Sequence, residues 1–215
     1  MPRLPRIVQP DGYYHIISRS VNELWIFRDA ADFQCFYALA LEAKKKHPLK
    51  LFHYVLMHTH FHFVIQVVEE NRLAKYMAFL KQSYSIAFQK KYDWKGPLWR
   101  ERYRSLAIQN EAYLRACGEY VENNPVRAGI CQNPEDYPFG SAKKYHLGAK
   151  DRLIDRQYQE SGETVLGLAE IATDLRAQKA LFSRGAGVGT PLFISSCKRG
   201  LSPGQALNEK KSNKI

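Results

Sequence analysis

The chain reads as an α+β protein: a ferredoxin-like (RRM-like) antiparallel sheet with helices on one face and an added helix near the middle of the chain. Three observations predict it. Leu49–Met57 and His60–Val67 are strand-length apolar runs joined only by His58-Thr59, a link short enough for an antiparallel hairpin. Two stretches, 30–46 and 71–92, repeat apolar residues at helical spacing. The whole succession is β-α-β-β-α-β-α, a ferredoxin-like unit with one helix more.

The elements follow in order. Residues 1–12 are rich in proline and arginine and are expected to be extended. Tyr13–Ser20 combines aromatic and β-branched residues, the composition of a first strand. Asp29 is placed to cap a helix over Ala30–Lys46, whose Phe33, Phe36, Tyr37, Ala40 and Leu41 share a face. Lys44, Lys45 and Lys46 suit its carboxyl end, where the helix dipole favours cations. After the hairpin, Asn71–Tyr92 carries Leu73, Met77, Leu80, Tyr84 and Phe88 as a second amphipathic helix, broken by Asp93-Trp94-Lys95-Gly96-Pro97. Ser105–Gln109 reads as a short strand. Asn110 is placed to cap a helix over Glu111–Asn123, which Pro125 stops because the residue before proline avoids the α region. One domain is expected over residues 1–150, a helical extension over 151–184 with a helix at Gly162–Leu181, and a flexible basic tail over 185–215.

Charge and cysteine content narrow the function. Lysine and arginine number 32 against 21 acidic residues, a net +11 and an isoelectric point near 9.5, which favours a polyanionic partner such as nucleic acid. A merely basic protein would share that balance. The four cysteines form no C-x-x-C pair, so neither a zinc knuckle nor a redox motif is expected. The amino terminus lacks an apolar signal core, and no apolar run approaches a membrane span. A cytoplasmic, nucleoid-associated protein without membrane contact is the expectation.

Candidate chemistry centres on His60-Phe61-His62. Side chains alternate across a strand, so His60 and His62 project from one face, expected to be open, while Phe61, Phe63, Ile65 and Val67 enter a core on the other. Two imidazoles at this spacing could hold a divalent cation; the alternative is a hydrogen-bonded structural pair. His58 would join them only if the strand stayed regular through the turn. A third ligand has to come from elsewhere. Tyr120 and Asn124 are four residues apart and share a helix face, so an amide oxygen and a phenol could meet the histidines. Spacing alone favours the plainer reading, in which Tyr113, Leu114, Cys117 and Tyr120 face the core and Asn124 caps the helix. Lys90–Arg104 interleaves Lys95, Arg100, Arg102 and Arg104 with Tyr92, Trp94, Trp99 and Tyr103. Such a segment either grips phosphates and stacks on bases or closes the core with its aromatics.

Four stretches in order resemble one family. They are Tyr14-His15-Ile16-Ile17-Ser18-Arg19, the run from Tyr54 to His62, the run from Pro97 to Ser105, and Tyr120-Val121-Glu122-Asn123-Asn124-Pro125-Val126-Arg127-Ala128-Gly129. With their spacing they cover about residues 3–150, and the closing N-P-V-R-A-G is the most specific. The pattern is similar to the REP-associated tyrosine transposases, within the single-tyrosine HUH endonuclease and transposase superfamily. The resemblance implies that His60 and His62 are the HUH pair, Asn124 the third metal ligand and Tyr120 the nucleophile carried on the added helix. It implies Mg²⁺ or Mn²⁺ as the only cofactor, with no small-molecule cofactor. The partner would be single-stranded DNA with a REP-like hairpin, cut through a 5′-phosphotyrosine. Arg3, Arg6, Lys95, Arg100, Arg102 and Arg104 would contact DNA. A monomer is favoured, with a dimer as the alternative. His58-Thr59 stands where many relatives carry Pro-Asn or Pro-Glu, and Glu122 where apolar residues are common. The competing functions are a non-catalytic hairpin DNA- or RNA-binding protein on the same fold, and a hydrolytic metalloenzyme using His58, His60 and His62 together.

Overall fold

The computed structural model describes residues 8–155 together with 180, 182, 187–190, 193, 194 and 197. Its central sheet has the order β2-β3-β1-β4-β5. Strand β1 is Tyr13–Arg19, β2 Lys50–Met57, β3 His60–Gln66, β4 Arg104–Ile108 and β5 Gly187–Val188. The first four pair antiparallel, with β1 and β3 at the centre. The fifth runs parallel to β4, within the stretch expected as a tail. The expected helix at Gly162–Leu181 lies almost wholly outside the described residues, as do Arg3 and Arg6.

Local sequence explains the long elements. Helix α1 (Ala30–Lys46) begins where Asp29 caps it: the Asp29 carboxylate accepts from the Asp32 amide at 3.0 Å, and Asp32 accepts in return from the Asp29 amide. Lys91 and Tyr92 reach that cap from the end of helix α2 (Arg72–Tyr92), tying the two helices together. Helix α3 (Glu111–Glu122) starts at Asn110, whose side chain accepts from the Tyr113 amide at 3.1 Å. Pro125 does not simply end the helical path. It sits in the first turn of a short helix α4 (Asn124–Arg127), where its missing N–H costs nothing.

The sheet is covered on both faces. Phe61, Phe63, Ile65 and Val67 point with Tyr14 and Ile16 into a core shared with α1 and α2, where Phe36, Tyr76, Leu80 and Tyr84 are buried. Each such aromatic contributes roughly 1.5–3 kcal/mol by leaving water. The opposite face packs Ile17, Val55, Val64 and Leu106 against Leu114, Cys117 and Val121 of α3. The histidine face is therefore not open, as alternation alone led one to expect: α3 lies across it.

The chain after α3 returns to the sheet through helix α5 (Ala142–Leu147) and then along β2. Asp151 accepts from Tyr37 at 2.7 Å and Tyr54 at 2.9 Å, and Asp155 pairs with Lys44 and with the Leu51 amide. The outer edge of β2 is thus covered by Phe139, Gly140 and Ser141 along Tyr54–Leu56 and by Asp155 at Leu51. No described helix is long and apolar enough to cross a membrane.

Candidate active site

The register of the sheet builds the site. His62 sits opposite Ile17 of β1 and Val55 of β2, while His60, at the start of β3, sits opposite Arg19 and Met57. Both imidazoles emerge at the end of the sheet that α3 crosses with its last turn. They line one open cleft of about 750 Å³ with Tyr120, Asn124 and Arg127 from α3 and α4, and with Arg19 and Arg100. The rings of His60 and His62 stand 5.1 Å apart, nearly perpendicular, and the Tyr120 ring meets His62 edge-on at 6.4 Å.

His15 supports the pair from below. Its Nε2 lies 2.8 Å from His62 Nδ1 and the two rings stack at 5.0 Å. That contact engages Nδ1 of His62 and leaves Nε2 as its remaining nitrogen, while Thr59 Oγ1 meets Nδ1 of His60 at 3.0 Å. Burial first, with the charges of Arg104 and Arg127, brings His15 down to about 3 against an opposing contact with the Phe182 backbone. His62 also falls well below the usual histidine range, through burial first and then His15, His60, Arg19 and Arg127. Neutral imidazole is the form a metal requires. Among the described residues, no cluster of three His, Cys, Asp or Glu side chains could hold a metal. Any third protein donor beside His60 and His62 would be of another type. Asn124 fits: its Nδ2 donates to the Tyr120 and Val121 carbonyls at 3.1 and 3.0 Å, which leaves Oδ1 as the donor atom on that side chain.

Tyr120 lines the cleft yet is only 3% exposed, because Phe182 stacks on its ring at 4.9 Å. The Arg127 guanidinium covers the ring at 3.9 Å and donates to the Tyr120 carbonyl. Burial lowers Arg127, and the Tyr120 side chain offsets only part of that. The plainer reading of Tyr120 as a core residue is half right: it packs in the second core and also borders the cleft.

Arginines extend the site along the sheet. The Arg100 amide donates to the Arg19 carbonyl at 3.0 Å, setting the two residues side by side. A smaller groove next to the cleft is lined by Arg19, Arg100, Arg102 and Arg104 together with Ile17 and one acidic residue, Glu101. Lys95 is exposed in the turn after α2 and lines neither. The aromatics between these cations close the core. Trp99 donates to the Lys81 carbonyl and Ser85 and packs on Phe61, Tyr103 is buried, and Tyr92 bonds Asp32. They are committed because this segment caps the α1–α2 layer.

His58 stands apart from the cleft. Its Nδ1 donates to the Phe27 carbonyl at 2.6 Å and its ring stacks on Trp25. The turn breaks the alternation that would have aligned it with His60 and His62, and that removes the geometry a three-histidine hydrolase needs. His15, Arg19 and Arg127 were not singled out from the sequence. The signal for His15 was a lone polar residue inside an apolar strand, but its partner lies 47 residues away.

Comparison with known proteins bears on the fold and on the family. A structure of a REP-associated tyrosine transposase bound to a REP hairpin is 18% identical, with a TM-score of 0.54, and covers 78% of this chain and 100% of its own. At that identity the likeness speaks for the fold alone. A transposase candidate from Deinococcus radiodurans R1 is 16% identical (TM-score 0.39; 61% of this chain, 94% of that one). A tRNA(His) guanylyltransferase from Saccharomyces cerevisiae is 12% identical (0.36; 89% and 86%). Neither of these two overlaps well enough to carry an argument. No curated protein matches the chain. The family model described as "Transposase IS200 like" matches residues 9–124, more than half of the sequence, and the chain belongs to that family of DNA-processing transposases.

Proposed function

We propose that the protein is a metal-dependent single-strand DNA endonuclease and strand transferase that cuts beside REP-type hairpins through a 5′-phosphotyrosine. One observation carries this reading: Tyr120, His60, His62 and Asn124, from different elements, line a single cleft rimmed by arginines. The Tyr120 oxygen attacks the scissile phosphorus, a P–O bond to it forms, and the bond to the 3′-oxygen breaks. The phenol proton ends on that 3′-oxygen, leaving a free 3′-OH and a covalent 5′-phosphotyrosine. Arg19, Arg100 and Arg127 hold the phosphate and offset the charge that builds on it. His60, His62 and Asn124 would hold Mg²⁺ or Mn²⁺, whose chemistry there is to polarise the phosphate oxygens. A 3′-OH entering the cleft reverses the step and joins strands. The REP hairpin is brought in as partner by the solved structure of the REP-associated transposase, which holds one.

The test uses an oligonucleotide with a hairpin and single-stranded flank, labelled on the 3′ side of the cut. Wild-type protein with Mn²⁺ or Mg²⁺ should give a labelled adduct that survives denaturing electrophoresis, and Tyr120→Phe should give none. An adduct in the Tyr120→Phe protein overturns the role of Tyr120. Absence of an adduct from wild type with either metal overturns the enzyme.

A further inference from the structure

The side chain of Trp25 is 57% exposed. An exposed indole offers a flat surface on which another ring can stack. This one is held rigidly. Its ring stacks on His58 at 4.4 Å with an interplanar angle of 17°. His58 is pinned by its bond to the Phe27 carbonyl, and its ring takes the edge of Phe33, which stacks in turn on Phe139 at 3.7 Å. The Trp25 carbonyl accepts from Arg28 Nε at 3.2 Å. The ladder of rings runs from the core outward and ends on the open indole.

Its position bears on what that indole meets. Asn22 and Glu23 line the cleft and both adopt left-handed backbone, φ 45° and 54°. Such a conformation is unfavourable for residues other than glycine. It reverses the chain after β1 and brings Trp25 over the β2–β3 turn, where the amides of Ile26 and Phe27 both donate to the His58 carbonyl. Trp25 and His58 do not line the cleft but adjoin it along the chain: Trp25 follows Glu23 by two residues and His58 immediately precedes Thr59, and both Glu23 and Thr59 are cleft residues.

We propose that Trp25, backed by His58, is a stacking platform for one unpaired base of the single-stranded DNA that enters the cleft. The inference rests on the reading of this cleft as a single-strand DNA site. An unpaired base has a free face, whereas a base inside a duplex is stacked on both sides. The arginine-lined cleft and the net charge of +11 attract the phosphates that flank such a base. The platform holds the strand beside the cleft and reads no particular sequence, because every base offers a π-face.

The experiment uses the full chain and an oligothymidylate of roughly 16 nucleotides, with a blunt duplex of equal length as reference. Trp94 and Trp99 are partly buried against the core, so quenching of Trp25 is separable from theirs. Single strand should quench the wild-type emission. Trp25→Phe should bind but lose that quench. Trp25→Ala should weaken single-strand binding about 5- to 140-fold, the range of one base–aromatic stack, and change duplex binding little. Quenching that persists in Trp25→Phe, or an equal loss for duplex and single strand in Trp25→Ala, overturns the platform. Tighter Trp25-dependent binding of oligouridylate than of oligothymidylate overturns the DNA assignment. The platform and the catalytic reading fail separately. Loss of Trp25 coupling with the Tyr120-dependent adduct intact removes only the platform. A Trp25-dependent quench with no adduct in wild type removes only the chemistry.

Discussion

Burying two imidazoles 2.8 Å apart works only if neither carries a charge that water would otherwise solvate. His15 and His62 meet that condition with depressed proton affinities, and the consequence is a pH dependence of stability. In the unfolded chain each histidine titrates near the ordinary 6.5, so the unfolded state binds more protons wherever the pH is below that. Stability is therefore complete above about pH 6.5 and falls as the pH drops toward the folded value of about 3 for His15. Each of the two costs up to about 1.4 kcal/mol per pH unit. Urea unfolding of metal-free protein between about pH 7 and pH 5, above the carboxylate range, should show this loss. His15→Gln, which keeps a polar group toward His62, should show a shallower slope. Equal stability across that window would mean that the pair is not held neutral.

At the scale of elements, the placement of α3 decides whether Tyr120 reaches the cleft. A buried polar clamp holds it. Glu122 accepts from Ser141 at 2.7 Å and meets His53 Nδ1 of β2 at 2.8 Å, while the His53 ring stacks on Tyr145 of α5. This explains an acidic residue where an apolar one is common among relatives: its partners come from β2 and from the turn before α5. One turn earlier, Gly118 lets the helix lie directly on His53. A Cβ at Gly118 would stand 2.5 Å from His53 Nε2, and the ring is held on its other side by Tyr145 and Glu122. Gly118→Ala should therefore destabilise the fold by about 1–3 kcal/mol, an overpacking cost. It should also reduce adduct formation by more than the fraction unfolded accounts for, because Tyr120 is two residues away. Thermal melts read alongside adduct yield check both; unchanged values in each would show that α3 has room to shift.

At the scale of the whole molecule, four of the 32 basic side chains gather in one place. Arg19, Arg100, Arg102 and Arg104 converge on one groove that runs into the cleft. Binding of single-stranded DNA should weaken steeply with salt, because each neutralised phosphate releases counterions. Replacing Arg102 with Ala should lower the slope of log affinity against log salt by about 0.7, the value for one contact on a single strand. Replacing Lys95, which lines neither cavity, should change it less. Anisotropy titrations across a salt series distinguish them, and an equal effect of the two would point to diffuse attraction.

Much was legible locally. The Asp29 and Asn110 caps, the helical repeat of α1 and α2, and the alternation in β3 are written in neighbouring residues. They specify which elements form and which side of β3 enters the core, and the motif stretches point to His60, His62, Tyr120 and Asn124. What covers the other side is not local. The packing of α3 over the histidines, the seating of His15 beneath His62, the Phe182 ring on Tyr120 and the withdrawal of His58 to Trp25 depend on contacts between residues far apart in the chain. Such contacts follow from strand register and helix docking, which propensity and spacing do not encode. The sequence by itself determined the elements and the chemistry available, and only the tertiary structure decided which of those groups share one cleft.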